Sequence, residues 1–526
     1  MTEINNLIKY NVFTVVSRQS TGGANIFPTL INFLTKRKKE STAEKEVIDK
    51  RKTRIVFGDH KMTRNKDFNP IEAYAPVPSW TVVKLQLALA AIHRLKLKAF
   101  DCTAAYLQTP IDFDLYVTPP PGIIQLMQYR PDSVWKLNRA LYGHPMSANL
   151  WYTKLFTYLR SYGFQPLGNS ATFMWLDRQK CKICPGYMLL NVYSDDGLGA
   201  TSSDQLWDNF MMDFKSKFDL EEKEPDYFLG CGITQDLETG KIQLDPSKYI
   251  RETIAKYDMT EAVTSPLPMP AGTKIYMPRE DETDILDAEA TNLYQQMTGS
   301  IMYCSLLRPD LMYYASQLSK VMSRPTAAHM GLARKVLQYL HGTYDNVITY
   351  RPVGCDGFEE KDCSFFSFSD SDWACALDTR RSHGCHVLML AGGAISWRSR
   401  SHKSVMLSTA AAEYYEGSEA CREVAFIRSI MEDFYKCNLG PTPLLIDNQA
   451  AICMSKLPQF TEKQKHIPIR ICHLKECCAE GLVELHPVDT KNQLADIGTK
   501  ALAQPAFERL KSVLFGKIKF ADINVK

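Results

Sequence analysis

Residues 187–200 read YMLLNVYSDDGLGA. An apolar run climbs from Tyr187 through Met188, Leu189 and Leu190 to Tyr193, then meets Ser194, two adjacent aspartates and a glycine. No other stretch limits the fold as much. The run reads as a buried strand. Two neighbouring carboxylates repel each other and lose hydration near a core, so a buried strand does not end in them at no cost. One resolution is a solvated hairpin turn, since Asp-Gly is a favoured turn pair. The other is a site in which Asp195 and Asp196 face cations. The rest of the chain decides between them.

Other segments deliver acids in the same way. WTVVKLQLALAAIHRLKL reads as a helix, with Val83, Leu87 and Ala90 at helical spacing. KAFDCTAAYL follows as a short apolar approach that reaches Asp101. SANLWYTKLFTYLRSYGF is an amphipathic helix with Trp151, Leu155 and Leu159 on one face and a stop at Gly163. Residues 246–350 are largely helical by pattern, broken at Arg-Pro pairs, and read as a connecting region. Near residue 361 a new domain opens. FFSFSDSDW is a strand ending in acids, CHVLMLAGGAISW a hairpin about Gly-Gly, and STAAAEYYEGSEACREVAFIRSIMEDF a helix. PLLIDNQAAICMSKL is strand then helix with Asp447 at the junction; GLVELHPV is a final strand and QLADIGTKAL a final helix. Acids at several element ends give the layout of a nuclease-like α/β domain.

A chain of 526 residues is expected to hold two to four domains. Hydrophobic residues at 45% and charged residues at 23% are ordinary for a globular protein. A net charge of +3 is too balanced to argue for a nucleic-acid partner by itself. The basic clusters TKRKKE and DKRKTR read as solvated faces unless something gives them a phosphate to hold. The 15 cysteines follow no disulfide framework and no signal peptide is evident, so reduced thiols are expected. Cys181 and Cys184 in CKIC, and Cys472, His473, Cys477 and Cys478 in ICHLKECC, lack the second pair that zinc-ribbon spacing requires. No apolar run is long enough to span a bilayer.

Separate strand ends carrying aspartate suit nucleotidyl transfer. That reaction puts charge on the attacking, leaving and phosphoryl oxygens, and two magnesium ions about 4 Å apart hold both ends of an in-line displacement. Magnesium takes hard oxygen ligands and keeps several waters, so a few carboxylates suffice. Asp101 and Asp195, with Asp196 beside them, could supply such a cluster.

At this point the chain resembles a known family. KTRIVFGD is similar to KARLVAKG, DCTAAYLQT to DVKTAFLNG, LYGHPMSANLWYTKL to LYGLKQAPRAWYEKL, and VYSDDGL to VYVDDML. YFLGCGI, FSDSDWACALDTRRSHG, AISWRSRSHKSVMLSTAAAEY, IDNQAAI, KHIPIR and QLADIGTK follow in the family's order. From about residue 3 to about 515 the chain resembles the Pol product of Copia-type retrotransposons, a reverse transcriptase followed by RNase H. The resemblance implies an α+β fold: a right-hand polymerase with fingers and palm over 1–245, a helical thumb or connection over 246–360, an α/β RNase H-like domain over 361–503, and a tail over 504–526.

It also implies roles. Asp101, Asp195 and Asp196 match the polymerase triad, with Asp101 and Asp195 the principal metal ligands. Tyr106 matches an aromatic ring packed against the sugar of the incoming nucleotide, where it would exclude a 2′-hydroxyl; the alternative is a plain core aromatic. Arg54 matches the fingers arginine that grips the triphosphate. Phe228, Leu229 and Gly230 match the segment that steadies the primer end. Asp370, Glu413, Asp447 and Asp496 match the four RNase H carboxylates. His466 and His473 read as packing or backbone-contact residues rather than catalytic ones. Two Mg2+ per active site are implied, with Mn2+ as an alternative. The implied partners are an RNA template, a DNA primer, RNA–DNA hybrid and deoxynucleotides, together with gag and integrase of the same element and no membrane. The implied location is a cytoplasmic virus-like particle, then the nucleus.

Three positions depart from the family. Ser194 stands for a usual Val. Met146 stands for a Gln expected to contact the nucleotide. Ala411 stands for a Glu; with Ser408 as N-cap it would be the capping-box partner, and its loss would cost about 0.5–1 kcal/mol. No gag, aspartic-protease or integrase signature is present, so the chain is expected to be a polyprotein fragment or a separate genomic copy. The competing readings are a catalytically inactive remnant that only binds nucleic acid, and a host-adopted interaction module.

Overall fold

The computed structural model describes residues 2–37, 48–168, 170–176, 186–376, 378–455 and 469–523. They form a mixed α+β structure with five sheets among the described residues. CKIC and His466 lie outside them.

The sheet that matters most is six-stranded. Its order is Leu220–Lys223, Lys96–Cys102, Asp196–Thr201, Tyr187–Tyr193, Thr172–Leu176, Gln165–Pro166. The YSDD segment is the tight turn at its centre. Tyr193 pairs with Asp196, so Ser194 and Asp195 are the two turn residues. Ser194 takes the left-handed conformation, φ +58°, as two-residue hairpins require at one or both turn positions. The Asp-Gly pair is therefore not the turn: Asp196 and Gly197 open the next strand. Gly197 is required there for close approach, since a Cβ would fall inside the Phe100 ring.

Helix Trp80–Ile92 starts at Ser79, whose hydroxyl accepts from the Val82 N–H. One buried face is expected from its spacing, but every residue from Val82 to Ala91 is buried, Lys84 and Gln86 included. A helix apolar all round belongs in an interior. This one lies between the six-stranded sheet and the C-terminal part of the chain. Gln86 Nε2 donates to the Leu198 carbonyl at 3.0 Å, and Asn191 donates to Gln86 Oε1. On its other side, the Lys84 ammonium lies over the Trp397 ring and donates to the Leu306 carbonyl. Burial holds the Lys84 pKa well below its ordinary value. The second helix, Ser147–Tyr162, buries Trp151, Leu155 and Leu159 and ends at Gly163, φ +115°.

A four-stranded sheet follows, Tyr227–Phe228, Cys231–Gln235, Ile242–Asp245 and Ile348–Tyr350. Residues 246–347 thus sit between two neighbouring strands of one sheet. They include the helices Ala288–Ser305, Met312–Ser319 and Ala327–Gly342. The Arg308-Pro309 pair read above as a helix break is also an anchor. Arg308 and Asp310 form an ion pair with no exposed side-chain area on either partner. Two bonds of 2.9 and 2.7 Å make it bidentate, and Arg308 also donates to the Thr343 carbonyl. Asp310→Asn would leave the guanidinium buried with part of its charge uncompensated. It is expected to destabilise the protein by about 3–5 kcal/mol in urea unfolding.

The last sheet runs Gly393–Ser401, His383–Leu390, Phe366–Asp372, Thr442–Ile446, Val483–Pro487. The first three strands are antiparallel and the last two join in parallel. The 27-residue helix Thr409–Tyr435 packs on it. Its N-cap is Ser408, accepting from the Ala411 N–H at 3.1 Å. Ala411 itself is buried in the core, where a glutamate would be desolvated. The stability expected from a capping box is therefore not available at this position.

Two candidate carboxylate sites

The first site forms where the hairpin Tyr187–Thr201 meets strand Lys96–Cys102. Asp196 lies directly opposite Asp101 across the ladder. The Asp195 carbonyl accepts from the Cys102 N–H at 2.8 Å, which ties the turn to the same strand. The Trp151 indole N–H donates to the Ser194 carbonyl at 2.7 Å, and Tyr106 Oη lies 3.3 Å from Ser194 Oγ. These bonds hold a turn whose first residue is in a costly conformation. Partial burial, the neighbouring Asp195 charge and contact with Asp101 raise the Asp196 pKa to about 6. Lys223, from the adjacent edge strand, places its ammonium 2.8 Å from Asp101 Oδ2 and 3.8 Å from Asp196 Oδ1. A cation therefore already fits between these two carboxylates, and hard oxygen donors of this kind suit a divalent ion.

Arg54 and Tyr106 converge from the other side through Tyr142. The Arg54 guanidinium lies 4.9 Å from the Tyr142 ring centroid, and the Tyr106 and Tyr142 centroids are 5.4 Å apart. Arg54 Nε is buried and finds no hydrogen-bond partner among the described residues. Sequence reasoning missed Tyr142; its neighbours Leu141 and Gly143 gave only a motif match. Met146 is the residue before helix Ser147–Tyr162, its N–H turned to His144 Nδ1 at 3.3 Å. Phe228, Leu229 and Gly230 form a tight turn, with Leu229 at φ +48° and Gly230 at φ +81°. The Tyr303 hydroxyl donates to the Leu229 carbonyl at 2.7 Å.

The second site lies on the last sheet. Asp370 comes from strand Phe366–Asp372, Glu413 from the first turns of helix Thr409–Tyr435, and Asp447 from the end of strand Thr442–Ile446. Their ligand atoms lie within 4.8 Å of one another, the one such group of three among the described residues. Asp101, Asp195 and Asp196 do not meet that spacing. Glu413 Oε1 accepts from the Ser371 N–H at 3.3 Å, while its buried Oε2 has no hydrogen-bond partner among the described residues. Burial, then the charges of Asp370 and Asp447, push the Glu413 carboxyl well above its ordinary value. Asp447 is raised by burial and by Asp370. Three mutually repelling carboxylates with an orphaned buried oxygen fit a divalent ion. Asp496 stands beside them, raised to about 8 by burial and Asp370, with Lys500 2.8 Å away. The Thr499 hydroxyl donates to Asp370 Oδ2 at 2.6 Å. His473 faces Ser418 and Cys477 instead, with Nδ1 2.9 Å from Ser418 Oγ.

Residues 10–271 match a family described as reverse transcriptase (RNA-dependent DNA polymerase). The chain is 29% identical over 474 residues to the retrovirus-related Pol polyprotein from transposon RE1 of Arabidopsis thaliana, covering 88% of this chain and 30% of that protein. It is 28% identical to the corresponding polyprotein from transposon RE2 of the same plant, over 88% of this chain and 30% of that one. It is 25% identical to the polyprotein from transposon TNT 1-94 of Nicotiana tabacum, over 88% of this chain and 34% of that one. The chain thus spans about a third of the length of these relatives.

Proposed function

Residues 10–271 belong to the reverse transcriptase family, within a chain related to Copia-type retrotransposon Pol polyproteins, and from this premise we propose that the protein copies RNA and DNA templates into DNA and cleaves the RNA of RNA–DNA hybrids. The first activity rests above all on one observation: Asp101 and Asp196 stand opposite each other, with Asp195 in the adjoining turn, inside the matched segment. The second rests on the Asp370, Glu413 and Asp447 cluster.

In the polymerase, Asp101, Asp195 and Asp196 would hold Mg2+, with Mn2+ as an alternative. When bound, the metal supplies positive charge to the attacking and leaving oxygens. Arg54, with an unpartnered Nε, grips the triphosphate. Tyr106 packs against the sugar and leaves no room for a 2′-hydroxyl. The Phe228–Gly230 turn, braced by Tyr303, steadies the primer end. In the nuclease, Asp370, Glu413, Asp447 and Asp496 would hold a divalent metal, which would supply positive charge to the water and phosphate oxygens of RNA cleavage. Lys500, 2.8 Å from Asp496, places a positive charge at the edge of this site. Template, primer and hybrid are the substrates of this reading. Gag and integrase of the same element are its partners, and a cytoplasmic particle followed by the nucleus its location. Fingers and palm then correspond to 1–245, thumb or connection to 246–360, and the RNase H-like domain to 361–503.

Deoxynucleotide incorporation on an RNA template with a DNA primer, in magnesium, tests the proposal. Primer extension supports it. A folded chain that binds primer–template but extends nothing would be the catalytically inactive remnant.

A further inference from the structure

We propose that Lys223 is the resident counter-cation of the first carboxylate site, one that a divalent metal must displace, so that this lysine sets how much metal the site needs. The inference deepens the polymerase reading and rests on it in one respect: the same carboxylates take the metal.

The placement follows from register. Strand Leu220–Lys223 is the edge strand beside Lys96–Cys102; Glu221 lies opposite Asp101 and Lys223 opposite Ala99. Residues two apart on a strand share a face, so Lys223 stands on the face of Asp101, one pair along. Its long side chain reaches back to Asp101 Oδ2 at 2.8 Å and on to Asp196 Oδ1 at 3.8 Å. Asp101 thus has acids opposite it on both flanking strands, Asp196 on one and Glu221 on the other. Like charges in directly opposed positions destabilise a sheet. One ammonium offsets part of that repulsion while no metal is present.

The same ammonium is an obstacle to metal. A divalent ion binds carboxylate oxygen at about 2.1 Å, so one held by Asp101 would sit close to the ammonium that lies 2.8 Å from Asp101 Oδ2. Two cations on one carboxylate repel, so the lysine has to swing out. It can do so at modest cost, because Lys223 is about half exposed and Asp101 about a third (48% and 30%), and exposed ion pairs are weak. The second site differs. There Lys500 pairs with Asp496 rather than with Asp370, Glu413 or Asp447, the three acids that lie within 4.8 Å of one another.

The test is manganese binding to the full chain, read from the electron paramagnetic resonance signal of free Mn2+ during titration with MnCl2. Four further proteins are compared with the wild type: Lys223→Met, Lys223→Gln, Lys223→Arg and Asp101→Asn. The class of binding sites that Asp101→Asn removes is the first site. Lys223→Met and Lys223→Gln are expected to tighten that class about thirtyfold, the scale of removing one unit charge some 4 Å from a divalent ion in a water-like dielectric. Lys223→Arg, which keeps the charge, is expected to stay near the wild type. In chelator, Lys223→Met is expected to melt lower than the wild type, and Mn2+ to raise its melting temperature by more. Unchanged or weaker Mn2+ binding in Lys223→Met and Lys223→Gln, with the class still lost in Asp101→Asn, would overturn the proposal and leave the polymerase reading standing. If Asp101→Asn removes no class of sites, the proposal and the metal reading of this site fall together.

Discussion

Asp101→Asn is expected to lower template-directed deoxynucleotide incorporation by about 1000-fold or more, with hybrid cleavage retained. The size follows from the chemistry: charge stabilisation by bound metal is worth several kcal/mol at the transition state, and each 1.36 kcal/mol is a factor of ten in rate. Selectivity follows from the structure, because Asp101 belongs to the six-stranded sheet and takes no part in the Asp370, Glu413 and Asp447 group. The asparagine also keeps the shape of the side chain beside Asp196, so the ladder between the two strands is preserved. Single-turnover primer extension and hybrid cleavage on the same preparations measure both halves. Loss of both activities together would point to misfolding. Retention of incorporation would remove Asp101 from the catalytic group.

Glu413→Gln is expected to lower cleavage of the RNA strand by a comparable factor and, in chelator, to stabilise the protein. The second effect has a definite sign with pH. Glu413, Asp447 and Asp496 all have pKa values raised in the folded chain, Asp496 to about 8. Between about pH 4 and pH 8 the unfolded chain has released protons that the folded chain still holds. Stability without metal therefore falls as pH rises through that window. Glutamine at 413 cannot ionise, so this part of the slope disappears. The variant should match the wild type near pH 4 and exceed it at pH 8, read as melting temperature in EDTA. Metal reverses the order, since the wild type gains more from Mg2+ than a site short of one carboxylate. A variant that loses cleavage and also melts lower at every pH in EDTA would make Glu413 a packing residue.

These effects depend on features that differ in how far the sequence reveals them. The YSDD hairpin is legible because an apolar run that stops at acids has few folded solutions, yet the turn falls two residues earlier than Asp-Gly suggests. Ser194, not the glycine, takes the positive φ, and Trp151 and Tyr106 hold it there. Asp370, Glu413 and Asp447 are legible as acids at element ends. Their meeting within 4.8 Å needs the parallel pairing of Phe366–Asp372 with Thr442–Ile446, which no local pattern encodes. Lys223 was not legible at all. It sits in EEKEPD, a charge run that reads as a solvated face, and only the register of an edge strand brings it to Asp101. Arg308 was hidden in the same way, since an Arg-Pro pair reads as punctuation until Asp310 and Thr343 enclose the guanidinium. Helix Trp80–Ile92 was recognised as a helix, but its spacing suggested one buried face. Total burial arises because distant parts of the chain cover both sides.

That last helix bears on how the protein can be divided. One side of Trp80–Ile92 reaches Leu198 through Gln86; the other meets Trp397 and Ser396 through Lys84 and Thr81, and His93 lies 3.0 Å from the Tyr435 hydroxyl. A gene cut anywhere between residues 245 and 361 would leave the N-terminal product with a bare oily flank and one stranded ammonium. Its natural cover would be on the other product. The two carboxylate sites, though written one after the other along the chain, thus share one packed core, and a cut between them would expose it on both products.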